Sequence, residues 1–303
     1  MPDRRLILLF IVAYLSLGAL RGFAQPSSIA PVVQPQAKIA LLIGNWDYNQ
    51  DGKYTEAKDT PHNRLSDLSN PCNDVELIQS KLIALKWKVD DIMLVCNGTK
   101  GDILNRLQDF TQRYMQSDQP FGFIYYAGHG VQIDKDSYIF GTDTGVDVQT
   151  IISMYKRHGS RANLFKGGIK ITREILATIG DPGRGSLLVV MDACRENPLY
   201  SLLAKEGLLV SGPKQSAVAA RGIKVFYSTA DGDVAPDGAL NSNSDFADVF
   251  AAQMVVLPTV DHLLRTVADV MYERTKYAAK PQIPDEAGTL NRPPPEICFT
   301  ECK

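Results

Sequence analysis

The chain is poor in the features that mark several protein classes. Its 303 residues carry 32 Lys and Arg against 34 Asp and Glu, a formal net charge of −2. So small an imbalance gives no electrostatic reason to expect nucleic acid or an acidic membrane as partner. Histidine occurs only 4 times. His129 has no second histidine nearby and no C-x-x-C pair is present, which argues against a zinc centre and against a thiol–disulfide oxidoreductase. His62, His158 and His262 lie in loop or helix settings and read as surface residues. No internal repeat is visible. What remains, 45% hydrophobic and 22% charged residues, describes an ordinary globular protein with ample core.

The first residues do not belong to that globule. Arg4 and Arg5 precede the apolar run "LILLFIVAYLSLGAL" (Leu6 to Leu20), and Gly22 and Ala24 then supply small residues before Gln25. This three-part pattern is that of a secretory signal over residues 1–24, so the chain is expected to be exported to a periplasm or outside the cell. The competing reading is an uncleaved anchor, the one circumstance in which a membrane would be a partner. Residues 25–37, rich in Pro, Gln and Ser, read as a flexible leader.

From Lys38 onward apolar runs alternate with amphipathic stretches. "KIALLIGN", "DIMLVC", "FGFIYYA", "SLLVVMDAC" and "IKVFYST" read as strands. Helices are expected over Asn73–Trp87 with Asn73 as cap, over Gly101–Met115, near Thr172–Ile179, and in two segments near Ser244–Val256 and Thr259–Ala278. Strands apolar on both sides, alternating with helices, imply an α/β fold with a mostly parallel sheet covered on both faces. Ligands and chemistry gather at the carboxyl ends of such strands. Polar, Gly-rich insertions at Asp47–Pro71, Gly145–Gly168 and Arg195–Gly222 read as long loops of one domain.

Two of those strand ends carry reactive side chains. His129 follows the third strand between Gly128 and Gly130, and Cys194 ends the fourth. Adjacent parallel strands would present them side by side. A base beside a thiol helps generate the thiolate that attacks a carbonyl, and then protonates the leaving amine. Backbone N–H groups of Gly130 and Cys194 would receive the oxyanion.

"YYAGHG" and "MDACREN" resemble the two catalytic signatures of the caspase-like cysteine peptidases, especially the bacterial metacaspase-like members (orthocaspases). "KIALLIGN", "NPCNDVELI" and "STADGDVAPDG" are similar to the family's first strand, first helix entry and the loop after its fifth strand. The resemblance implies a three-layer αβα sandwich. The peptidase domain would span residues 38–290, with a p20-like part at about 38–195, a p10-like part at about 222–280, and a tail at 291–303. It also implies a cysteine-type endopeptidase acting on protein or peptide substrates without a cofactor. The alternative within the same fold is a catalytically silent binding module.

Against the family pattern, Ala193, Cys194 and Arg195 fit, whereas Asp192 stands where caspases carry Gln and Glu196 where they carry Gly. True caspases select aspartate with a basic pocket floor. An acid two positions before the nucleophile would instead attract Arg or Lys. The metacaspase resemblance implies a second pocket carboxylate at the first helix entry, and Asp74 stands there. Some metacaspases require calcium, and Asp231, Asp233 and Asp237 cluster after the fifth strand. Asp/Gly-rich turns have that composition without metal, so calcium stays uncommitted. Self-cleavage, if it occurs, is expected in the loop offering Lys205, Lys214 and Arg221.

Export bears on the 5 cysteines. Cys72 begins the first helix at the carboxyl end of strand one, and Cys96 ends strand two at the same end of the sheet. A Cys72–Cys96 disulfide is expected there, against a bland reading as unpaired core residues. Cys298 and Cys302 would pair near the terminus and leave Cys194 as the free thiol.

Overall fold

The computed structural model describes residues 37–55, 65–117, 119–133, 136–145, 153, 157, 168–180, 182–183, 185–193, 221–230, 235–257, 259–291 and 297–300. The expected signal and nearly all of the leader therefore lie outside the described residues. So do Cys194, Lys205, Lys214, Asp231, Asp233, Cys302, His62 and His158.

The apolar runs form a six-stranded sheet in the order β2-β1-β3-β7-β8-β9. Its strands are β1 (Ala37–Gly44), β2 (Ile92–Cys96), β3 (Pro120–Ala127), β7 (Ser186–Asp192), β8 (Ile223–Tyr227) and β9 (Asp285–Thr289). The first five are parallel, and β9 closes the edge antiparallel to β8. Helices α1 (Pro71–Ala84), α3 (Asp245–Met254) and α4 (Val260–Thr275) pack on one face and α2 (Lys100–Met115) on the other. The sandwich expected from the alternation is the observed architecture. A second, three-stranded antiparallel sheet joins β4 (Gly130–Ile133), β5 (Asp136–Phe140) and β6 (Gly168–Lys170). It and β9 were not legible beforehand, because their segments are short and carry no sustained alternation.

Strand alternation sorts the core. On β3, Phe121, Phe123 and Tyr125 face α1, α3 and α4, whereas Ile124 and Tyr126 face α2. Ile297–Thr300, within the expected tail, contributes Phe299 to the first face, where its ring meets Trp87, Phe121 and Phe123.

Several boundaries differ from the sequence reading. Helix α1 starts at Pro71 rather than Asn73, since proline suits the first helical position. The segment near Thr172–Ile179 is a π-helical turn, Ile171–Leu176, running into one short α turn, Ala177–Ile179. Strand β7 ends at Asp192 and β3 at Ala127, so His129 lies two residues past its strand.

Candidate active site

Register sets up the site. Gly44 pairs with both Cys96 and Ala127, and Ala127 pairs with Asp192, so four parallel strands end on one line. His129 is two residues beyond Ala127, and in the sequence Cys194 is two residues beyond Asp192. At Gly44 the carbonyl of Pro71 sits where a Cβ would be, which lets the start of α1 close onto the strand end. There Cys72 and Cys96 are joined as a disulfide, Cα–Cα 5.6 Å. A cross-link of this loop length is worth about 3.5 kcal/mol in the chain-entropy model. Cys298 is buried and disulfide-bonded.

His129 is held by groups from three segments. Its backbone N–H donates to the Tyr48 hydroxyl at 2.9 Å, and its carbonyl accepts from the Tyr126 hydroxyl at 2.8 Å. Its Nε2 lies 2.8 Å from the Ser66 carbonyl. A carbonyl can only accept, so the proton sits on Nε2, and the neutral ring keeps its lone pair on Nδ1. The Tyr48 ring packs 4.7 Å from the imidazole, centroid to centroid. A Cβ on Gly128 (φ 152°) would come within 2.6 Å of the Tyr126 hydroxyl and 2.9 Å of the Tyr48 hydroxyl, so glycine alone fits there. Desolvation lowers the pKa of His129, opposed by the Ser66 carbonyl and by Asp237 and Asp67. The ring is therefore neutral at pH 7, the form a base requires.

Asp67 ties these groups together. Its carboxylate accepts the N–H of Tyr48 at 2.9 Å and of Thr55 at 2.9 Å, and the side-chain amide of Asn49 at 3.2 Å. One carboxylate thus fixes both the turn that carries Tyr48 and the segment whose Ser66 carbonyl meets the imidazole.

His129 shares an open cleft with Asp74, Asp192, Asp237 and Ser244. Asp74 is 1% exposed and Asp192 7%. Asp74 Oδ1 accepts the Ser244 backbone N–H at 2.9 Å and the Asn243 amide at 3.1 Å. Asp192 Oδ2 accepts the Ser244 hydroxyl at 2.7 Å and the Tyr125 hydroxyl at 3.1 Å. Ser244 also caps α3, its Oγ accepting the Ala247 N–H at 3.0 Å. Desolvation, then the charge of Asp192, pushes the Asp74 carboxyl up to about 8. Desolvation pushes Asp192 up to about 6 against its hydroxyl donors. The Ser228 hydroxyl also favours the charged form of Asp192. Asn70 holds the cleft's outer loop, donating to the carbonyls of Asp237 at 2.6 Å and Ala239 at 2.7 Å, while the Ser69 N–H donates to the Asp237 carboxylate.

Of the residues singled out by sequence, Asp74, Asp192, Asp237 and His129 come together. Gly130 opens β4 opposite Ile139. Arg221 is exposed just before β8, and His262 is exposed on α4. Tyr48, Ser66, Asp67, Tyr125, Tyr126 and Ser244 were missed. The doublet Tyr125-Tyr126 carried the one available signal, since alternation sends consecutive hydroxyls to opposite faces.

The model of the caspase domain family matches residues 37–292. The chain belongs to that family of cysteine peptidases. No curated protein matches it significantly.

Proposed function

We propose that this caspase-domain protein is an exported, metacaspase-like cysteine endopeptidase that cleaves after Arg or Lys with His129 and Cys194. The observation that carries this reading is the cleft itself. Two buried carboxylates, Asp74 and Asp192, line it beside a neutral imidazole, and among the described residues neither is ion-paired. A cationic side chain supplies the charge that burial denies them.

In the proposed reaction the Cys194 proton passes to His129 Nδ1 as sulfur bonds to the scissile carbonyl carbon. The N–H groups of Gly130 and Cys194 receive the oxyanion. The imidazolium then protonates the leaving amine as the C–N bond breaks. His129 next takes a proton from water, which adds to the thioester and releases the acid and the thiol. The Ser66 carbonyl suits this cycle, because it keeps Nε2 protonated and aims Nδ1 as the exchanging atom.

An arginyl chloromethylketone tests the reading. Mass spectrometry should find one adduct on Cys194, absent in His129→Ala and in the aspartyl analogue. Folded protein without any adduct would instead favour a silent binding module.

A further inference from the structure

Among the described residues, the acidic cleft contains no cation. Their titratable groups in its lining are Asp74, Asp192, Asp237 and His129, with no Lys or Arg. Facing the Asp74/Asp192 pair are Tyr125 from β3, Asp237 from the loop after β8, His129 from the turn after β3 and, acting through Tyr125, Asp248 on α3. Every donor to the pair among the described residues is neutral: the Ser244 N–H and hydroxyl, the Asn243 amide and the Tyr125 phenol. The donors also load the two carboxylates unevenly. Asp74 Oδ1 and Asp192 Oδ2 each take two bonds, while Asp74 Oδ2 and Asp192 Oδ1 take none among the described residues. Two adjacent buried carboxylates without a counter-cation cannot both stay ionised.

We infer that the empty cleft holds one proton between Asp74 and Asp192 and releases it when a substrate's cationic side chain enters, so that recognition is proton-linked. This rests on the reading of the cleft as a site for a basic side chain. Ser244 is the positioning residue, since its N–H and hydroxyl bond to one carboxylate each and hold them as a pair. The raised positions of Asp74, about 8, and Asp192, about 6, agree with one bound proton at neutral pH. The sign follows directly. A cation favours the ionised pair, so affinity rises with pH across that interval and levels off above it. One proton exchanged per ligand changes Kd about tenfold per pH unit.

Calorimetric titration of benzamidine, a singly charged amidine, into full-length Cys194→Ala tests this. Titrations in phosphate and in Tris at pH 7 separate the heat of proton release. The expected result is about one proton released per benzamidine at pH 7 and almost none at pH 9, with the release at pH 7 abolished by adding Asp74→Asn. Binding without proton release at pH 7, or an undiminished release in Asp74→Asn, overturns the proton exchange but leaves the basic-side-chain reading standing. No binding anywhere from pH 6 to 9 by folded protein overturns both. Should Asp74→Asn not bind, carboxyl carbon NMR of the [13C]Asp-labelled Cys194→Ala chain decides. An Asp that titrates above pH 6 when the cleft is empty, and no longer does so at saturating benzamidine, supports the exchange; its absence overturns it.

Discussion

His129 lies two residues past β3 and Asp192 ends the adjacent parallel strand β7, yet their surroundings are opposite in kind. Around His129 the backbone N–H, the carbonyl and Nε2 are all bonded. Tyr48 accepts its N–H, Tyr126 donates to its carbonyl, and the Ser66 carbonyl takes the imidazole proton, all within 2.9 Å. Around Asp192 and Asp74 one oxygen of each carboxylate is bonded, and among the described residues neither charge is matched. Consecutive residues of one strand serve the two places, Tyr126 the first and Tyr125 the second. In the proposed reaction the difference separates two jobs. A base must be oriented before substrate arrives, whereas a specificity pocket gains by leaving its electrostatic demand for the substrate to meet.

The contrast can be broken at its strongest point first. Removing the proposed reacting groups, Cys194→Ala or His129→Ala, should lower kcat by at least about 10³-fold with the fold kept, read by peptide hydrolysis and circular dichroism. Near-normal turnover by either variant would sink the dyad. On the cleft side, Asp192→Asn should lower kcat/KM for arginyl peptides by about 2–5 kcal/mol, because a buried charge pair with the substrate is lost. A loss shared equally by uncharged substrates would mean that Asp192 is structural.

A smaller effect sharpens the orientation side. Tyr48→Phe keeps the ring beside the imidazole but strands the His129 N–H, at a cost of about 1–3 kcal/mol of stability in urea melts. It should also lower kcat about tenfold while KM for arginyl peptides barely moves. A change confined to KM would contradict the orienting role.

The smallest effect concerns pH and stability. Asp74 has its folded pKa raised from 3.8 to about 8, chiefly by desolvation. A raised pKa gives stability that is complete below the unfolded value and lost as pH rises through the folded one. The unliganded protein should therefore weaken between about pH 4 and pH 8. Asp74→Asn keeps an acceptor for Ser244 and Asn243 without the charge, and should be on the order of 1–2 kcal/mol more stable than wild type at pH 8.5. Equal destabilisation of the variant at pH 5 and pH 8.5 would argue that the carboxylate is ionised without strain.

The parts legible in the sequence are those set by period and by motif. Apolar runs marked the five parallel strands, and "YYAGHG" and "MDACREN" marked the family. Topology also put Cys72 and Cys96 at one end of the sheet. The groups that hold His129 stayed hidden because they act across the chain. Tyr48 reaches it over 81 positions and the Ser66 carbonyl over 63. A backbone carbonyl leaves no mark in a sequence at all. Ser244 was equally silent, since a serine opening a helix reads as a cap, and it is one. Only packing α3 against the end of β7 turns that cap into the link between two carboxylates.

A cation-seeking cleft beside His129 would show itself in the residue preferred before the scissile bond. Full-length wild-type protein, with Cys194→Ala as blank, is given a peptide library varied only at the residue before the scissile bond. Cleavage after Arg and Lys, with Asp and uncharged residues at least about tenfold slower in kcat/KM, is the expected profile. Preferred cleavage after Asp would contradict the account.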